Sequence, residues 1–394
     1  MRLVVTGASG YIGKRLVEKA QAQGHQVVVL GRSAPEGLVS FTWNLGEDVP
    51  GAALIGADAL IHLAHDWAAD SAPGENRNAL AGEKLARQAL DAGVPRFVFA
   101  STTSARANAQ NSYGRVKYQM EERLSALPGA GGRLVHGRIA LVYGGVPSGQ
   151  YAMMRKLTAL TPLLPMFGLD RQVQPIHLDE VADALLTLAA DRGLTEKFYV
   201  IAGTPVTFAQ WLRLLRKVQT GGELSFLPIP LSAVLALCGV FPFLRERVLG
   251  LAGAEAMPQA ESLAALHLSP GDPFQRLSVE EAETGGEAGA LLRYLGAAPT
   301  PAMRRDLEAG LARCGLLPLP LGEKLIRHPG WIAFVEPPAR NHANRLARAL
   351  HLASQVIEAH VPAKPRPGLI KTGLLVLADL VLLPIRLMTA KRFQ

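Results

Sequence analysis

Cysteine is almost missing from this chain. Its 394 residues hold only two, Cys238 and Cys314, each inside an apolar stretch. That excludes a disulfide framework and a thiolate metal site, no other metal site is expected, and a reducing, cytoplasmic setting fits. Charge is also scarce. Charged residues make up 19% and hydrophobic ones 49%, so the chain can bury a sizeable core and global disorder is excluded. The start lacks a basic segment followed by an apolar one, so no signal peptide is expected. There is no internal repeat, no low-complexity tract and no nucleic-acid-binding motif.

The charge that exists is unevenly placed. The net charge is +8, and from Leu321 onward 11 Lys/Arg face four Asp/Glu. A basic tail favours anionic partners, and without a nucleic-acid motif the expected partner is lipid. The stretch Leu369–Ala390 is nearly long enough to span a bilayer, but Asp379 sits near its middle, where charge is costly. Basic residues flank it: Lys364 and Arg366 before, Lys391 and Arg392 after. Residues 364–394 are therefore expected to lie on the inner leaflet, a peripheral contact from the cytoplasmic side. The alternative is a terminal helix docked on the protein or in a homo-oligomer interface.

Short β-branched runs alternate with longer helical ones over the first half. The strands expected are Leu3–Val5, Gln26–Leu30, Ala59–His62, Phe97–Ala100, Arg133–Arg138 and Phe198–Ile201, with helices such as Lys14–Gln23 and Arg77–Ala92 between them. This predicts an α/β fold: a Rossmann doubly wound parallel sheet. The expected division is a dinucleotide-binding domain over 1–203, a smaller, mostly helical substrate-binding cap over 204–320, and a basic, apolar extension over 321–394. Thr207 is expected to cap a helix ending near Gln219, and Arg340–His360 reads as an amphipathic helix. The Pro-punctuated run Leu224–Ala252 reads equally as a greasy lid over a lipophilic substrate and as plain core.

Thr6-Gly7-Ala8-Ser9-Gly10-Tyr11-Ile12-Gly13 joins the first strand to the first helix. Glycines there allow a tight turn and a close backbone approach to a pyrophosphate, which the helix N-terminus then faces. The second strand ends in Arg32 and Ser33, where an NAD-selective site usually places an acidic residue. A guanidinium suits a 2′-phosphate, so NADP is the expected cofactor, with Arg15 able to assist.

Tyr113-Gly114-Arg115-Val116-Lys117 places a phenol and an ammonium four residues apart, on one face of a helix. Such a tyrosine can exchange a proton with a carbonyl or alcohol while hydride moves. The pair follows the run Phe97–Ala100, which leads into Ser101-Thr102-Thr103-Ser104. Hydroxyls at the carboxyl end of a central strand stand where such sheets bind ligands.

With these residues in view, the sequence resembles the extended or atypical short-chain dehydrogenase/reductases, the superfamily of nucleotide-sugar epimerases and 3β-hydroxysteroid dehydrogenases. The matching segments are residues 6–13, 61–65, 97–102, 113–117, 137–145 and 174–186, in family order over roughly the first half, together with Asn78. The resemblance implies that Tyr113 exchanges the proton, that Lys117 is its partner and touches the cofactor, and that Thr102, or failing it Ser104, is the hydroxyl. It implies cofactor contacts at Gly7, Ser9, Gly10, Tyr11, Ile12, Gly13, His62, Leu63, Ala64 and Asn78, and a cleft bordered by Ser104, Tyr143, Gln174 and His177. Asn44 replaces the family's usual acidic residue after the third strand. The segments 162–186 and 227–243 are similar to reductase-like proteins related to a complex I accessory subunit. The function implied is an NADP(H)-dependent oxidoreductase acting on a carbonyl or alcohol of a lipophilic small molecule. Two alternatives stand beside it: a nucleotide-sugar epimerase or dehydratase, and a non-catalytic nucleotide-binding subunit or membrane scaffold.

Overall fold

A computed structural model describes residues 1–32, 37–71, 76–240, 245–284, 288, 289, 291, 292, 297, 299–314, 316 and 340–360. The expectations placed on Ser33, on residues 321–339 and on the lipid-facing segment 364–394 fall outside these. Among the described residues no helix is long and apolar enough to cross a membrane.

Seven parallel strands form one sheet. In chain order they are β1 (Arg2–Thr6), β2 (Gln26–Gly31), β3 (Val39–Thr42), β4 (Ala59–His62), β5 (Phe97–Thr102), β6 (Leu134–Ile139) and β7 (Phe198–Ile201). Their spatial order is β3-β2-β1-β4-β5-β6-β7, so the chain reverses direction across the sheet between β1 and β4. That reversal opens a crevice at the carboxyl ends of the two strands, the place where open α/β sheets bind ligands. The edge strand β3 is mostly exposed and carries Ser40 and Thr42, so it lacks the apolar run that marks the others.

The other strands are buried on both faces, and residue parity decides which face each side chain joins. Leu3 and Val5 of β1 pack into the layer of α1 (Tyr11–Ala22) and α2 (Leu178–Ala190). Val4 turns the other way, into the layer of α3 (Arg77–Asp91) and α4 (Ser112–Ser125), with Leu85 and Leu124. Each such apolar side chain removed from water stabilises by about 1.5–3 kcal/mol. The helices start where the chain supplies side-chain acceptors. Asn76 caps α3 and Asn111 caps α4. His177 and Glu180 form a capping box on α2.

Contacts divide the chain into two compact units. The first takes Met1–Arg155, Leu163–Lys217 and Gly222–Pro273, so residues 204–217 and 222–273, expected in a cap, belong to the unit that holds the sheet. The Thr207 hydroxyl accepts from the Gln210 amide and starts the expected helix, which runs over Phe208–Thr220. Within Leu224–Ala252 the chain forms a strand at Ser225–Pro228 and helices at Leu231–Val240 and Arg245–Ala252. The second unit has its own small core, in which Leu307 and Leu311 of the helix Pro301–Arg313 pack with Ala349 and Ala353 of the helix Arg340–His360.

Candidate active site

The turn between β1 and α1 is packed backbone against backbone. Gly7 has φ +69°, and a Cβ there would lie 2.8 Å from the Ala64 nitrogen. A Cβ on Gly13 would lie 2.1 Å from the Gly7 carbonyl oxygen. The end of β4, the turn and the first helical turn therefore touch with no room for side chains. Helix α1 starts at Gly10 without a side-chain cap and without an acidic residue in its first turn. Its amides and positive dipole end are thus left for an anionic group, and Ser9 and Gly10 are exposed beside them. Ile12 packs against the core beneath the sheet, and the Tyr11 phenol donates to the Gly144 carbonyl at 2.5 Å. This cradle fits the pyrophosphate of a dinucleotide.

Arg32 follows the end of β2, and its side chain is exposed. Arg15 does not assist it. Its guanidinium is spent on Asp179 of α2, at 2.5 and 3.1 Å, and on Glu18 at 3.1 Å. It ties α1 to α2. Asn44 bonds Glu47 through its amide nitrogen and its side chain, at 3.0 and 2.9 Å, and so closes its own turn.

His62 is fully buried, so its ring does not line the cofactor path. Parity turns it, with Leu60, toward α3 and α4, where it stacks on Phe99. The Thr6 hydroxyl accepts the Leu63 and Ala64 amides at 3.2 Å each and reaches His62 Nδ1 at 2.7 Å. Two amides use both lone pairs of the hydroxyl, so its hydrogen goes to Nδ1. Burial lowers the His62 ring to about 3 and keeps it neutral, with the proton on Nε2. Leu63 and Ala64 are partly exposed, held by this knot at the end of β4.

Helix α4 carries Tyr113 and Lys117 to the end of β5. Lys117 Nζ is buried, donates to the Ala100 carbonyl at 2.8 Å, and lies 4.6 Å from the Phe99 ring centre and 5.7 Å from that of Tyr113. Burial brings its ammonium down to about 8, against the opposing pull of Asp70 and Glu121. Burial, and after it the charge of Asp70, holds the Tyr113 phenol above the ordinary range. Tyr113 therefore keeps its proton until a compensating charge arrives. Thr102 is the last residue of β5, and its Oγ1 accepts from the Ser104 amide at 3.2 Å. Ser101 is spent elsewhere, donating to Glu121 at 2.6 Å. Glu121 is fully buried and also takes a two-pronged bond from Arg138, at 2.9 and 2.6 Å. That network fastens α4 to β5 and β6.

The aromatic and charged cluster around Tyr113 was not among the residues expected at the site. Trp67 stacks on its ring at 4.8 Å and 21°, with Trp67 itself 68% exposed. His65 stands edge-on to Tyr113 at 5.1 Å and to Trp67 at 4.8 Å, and pairs with Asp70. Asn78 holds this loop rather than a cofactor. Its oxygen accepts the Asp66 amide at 2.8 Å, and its nitrogen donates to the Asp66 carbonyl and the Asp70 carboxylate at 2.9 and 3.1 Å. The one readable signal was His65-Asp66-Trp67 directly after the strand end.

Three residues expected at the substrate cleft serve the fold. Tyr143 is buried, packed against His177 and Trp211 at 5.2 Å each. His177 is buried as the cap of α2, its Nδ1 accepting the Asp179 amide at 3.2 Å. Gln174 clasps Met257, accepting its amide at 2.8 Å and donating to its carbonyl at 2.9 Å.

The family model described as the NAD dependent epimerase/dehydratase family matches residues 3–202. The chain belongs to this family. The epimerase/dehydratase match covers the sheet, the cradle and the Tyr113–Lys117 helix. Among curated proteins the chain is similar to a ceramide reductase of Caulobacter vibrioides, 27% identical over 194 residues, covering 47% of this chain and 59% of that one. It is also similar to the mitochondrial NADH dehydrogenase 1 alpha subcomplex subunit 9 of Dictyostelium discoideum, 24% identical over 243 residues, 58% of this chain and 66% of that one. An uncharacterized Mycobacterium tuberculosis protein is 29% identical over 202 residues, 49% of this chain, and the match spans only 21% of its length. Among solved structures, the UDP-N-acetylglucosamine 4-epimerase of Bacillus cereus shares the fold at TM-score 0.54 and 16% identity, over 71% of this chain and 97% of that one.

Proposed function

We propose that the protein is an NADP(H)-dependent oxidoreductase that interconverts a carbonyl and an alcohol on a hydrophobic substrate. The observation that carries this reading is the placement of Tyr113 and Lys117 by one helix at the carboxyl end of β5, whose last residue is Thr102. The glycine cradle with the uncapped start of α1 supports dinucleotide binding, and the exposed Arg32 supports preference for a 2′-phosphate. Likeness to a ceramide reductase supports a lipophilic substrate, and the basic, apolar tail supports a peripheral place at a membrane.

When bound, a nicotinamide dinucleotide supplies or accepts the hydride. Tyr113 gives its phenolic proton to the substrate oxygen in reduction and takes it back in oxidation. Lys117 lies near enough to stabilise the tyrosinate that forms. The hydroxyl of Thr102 steadies charge on the substrate oxygen. The packed turn at Gly7, Leu63 and Ala64 would let backbone rather than side chains meet the dinucleotide's phosphates.

The test is a fluorescence titration of the full chain with NADPH and NADH, beside Arg32→Ala. A preference for NADPH that Arg32→Ala removes is expected, and Tyr113→Phe is expected to lower turnover of a lipophilic aldehyde by about 100-fold or more. Equal affinity for both nucleotides refutes the cofactor assignment, and full turnover in Tyr113→Phe refutes the mechanism.

A further inference from the structure

The His65–Asp70 pair has no part in the chemistry above, yet it sits against the tyrosine that does. Both side chains are 6% exposed. His65 Nε2 lies 2.9 and 3.0 Å from the two Asp70 oxygens. A carboxylate only accepts, so the His65 proton is drawn to Nε2. Nδ1 is then a bare acceptor, and it is buried without a hydrogen-bond partner. Asp70 is held in turn by Asn78 at 3.1 Å, and the imidazole meets the Tyr113 ring edge-on. A buried imidazole with one nitrogen anchored by a carboxylate and the other bare is built to take up a proton.

From this geometry we infer that the His65–Asp70 pair is a titrating positioning pair that sets the charge balance of Tyr113. The inference rests on the reading of Tyr113 as the proton-exchanging group. With His65 neutral, Tyr113 feels the uncompensated charge of Asp70, and its phenol is held protonated. When His65 Nδ1 takes one proton from solvent, an N–H bond forms there and the pair becomes a neutral ion pair. The tyrosinate is then favoured, with Lys117 on its other flank. The groups that face His65 are Asp66 and Asp70 on its own loop, Lys117 and Tyr113 on α4, and His62 on β4. Burial foremost, and Lys117 after it, oppose the proton that the two carboxylates draw on, so that His65 is held below the ordinary histidine range.

The test needs no turnover, so its failure is separate from failure of the proposed activity. Full-length protein with ¹⁵N-labelled histidine gives the His65 tautomer and titration by NMR. The expected result is an Nε2–H tautomer. Asp70→Asn should move the titration to lower pH, and Lys117→Met to higher pH, by about a unit or more each. Fluorotyrosine placed at position 113 should show a step in its ¹⁹F shift at the same pH, absent in His65→Gln. An Nδ1–H tautomer in the unaltered protein overturns the proposal without any variant. So does a ¹⁹F resonance that stays flat through the His65 titration. Loss of turnover in Tyr113→Phe with no such step would leave the activity standing and this pairing refuted.

Discussion

His136 offers a quantitative test of the fold, away from the chemistry. It is fully buried on β6, stacked on Phe198 at 5.1 Å and edge-on to Phe99 at 5.8 Å. Ser125 donates to the Glu121 carbonyl at 2.6 Å, so His136 Nε2 supplies the hydrogen of the 3.1 Å bond between the two side chains. Nδ1 is buried without a partner. Burial, helped by Lys197 and Arg138, lowers the ring from its ordinary 6.5 to about 3. The folded protein therefore holds His136 neutral where the unfolded chain protonates it. Above pH 6.5 neither state carries the proton, and stability is unaffected. As pH falls from 6.5 toward 3 the unfolded state gains the proton alone, and stability is lost at about 1.4 kcal/mol per pH unit. Between pH 7.5 and pH 5 the loss is about 2 kcal/mol from His136. His62, lowered to about 3 in the same way, loses a similar amount. Urea unfolding followed by circular dichroism at the two pH values measures the sum. His136→Phe keeps the stacked site and leaves Ser125 its bond to Glu121. Whatever it does to stability at pH 7.5, its drop on going to pH 5 should be about 2 kcal/mol smaller than that of the unaltered protein. An equal drop in both would refute the assignment of a neutral, buried His136.

Two further outcomes follow from packing. Gly13→Ala puts a Cβ 2.1 Å from the Gly7 carbonyl oxygen, where only backbone can move, so calorimetric titration should show dinucleotide binding lost. Glu121→Ala strands the Arg138 guanidinium and frees α4, and thermal or urea unfolding should show a loss of about 3–5 kcal/mol.

The core strands were legible because their signal is local. Leu3–Val5, Val27–Leu30 and Phe97–Ala100 are continuous apolar runs, as strands covered on both faces must be. The edge strand Val39–Thr42 was not legible, since exposure on its outer side removes that pattern. The helix expected over Arg340–His360 has those bounds in the structure. The glycine turn was readable from its place between strand and helix.

Side-chain roles divided differently. Spacing alone put Tyr113 and Lys117 on one helical face, because four residues make about one turn. Parity along β4 sets His62 on the face of Leu60, away from the groove, and is itself a local pattern. The fates of Arg15, Asn78, Tyr143 and His177 depended on partners that no local pattern encodes. Arg15 meets Asp179, 164 residues away, and Tyr143 meets Trp211. His65, Trp67 and Asp70 lie in one short loop, but they became a site only where α4 brings Tyr113 against them. Backbone periodicity is set by neighbours along the chain and can be read from it. Which polar groups remain for chemistry depends on which ones the folded chain has already satisfied, and only tertiary packing decides that.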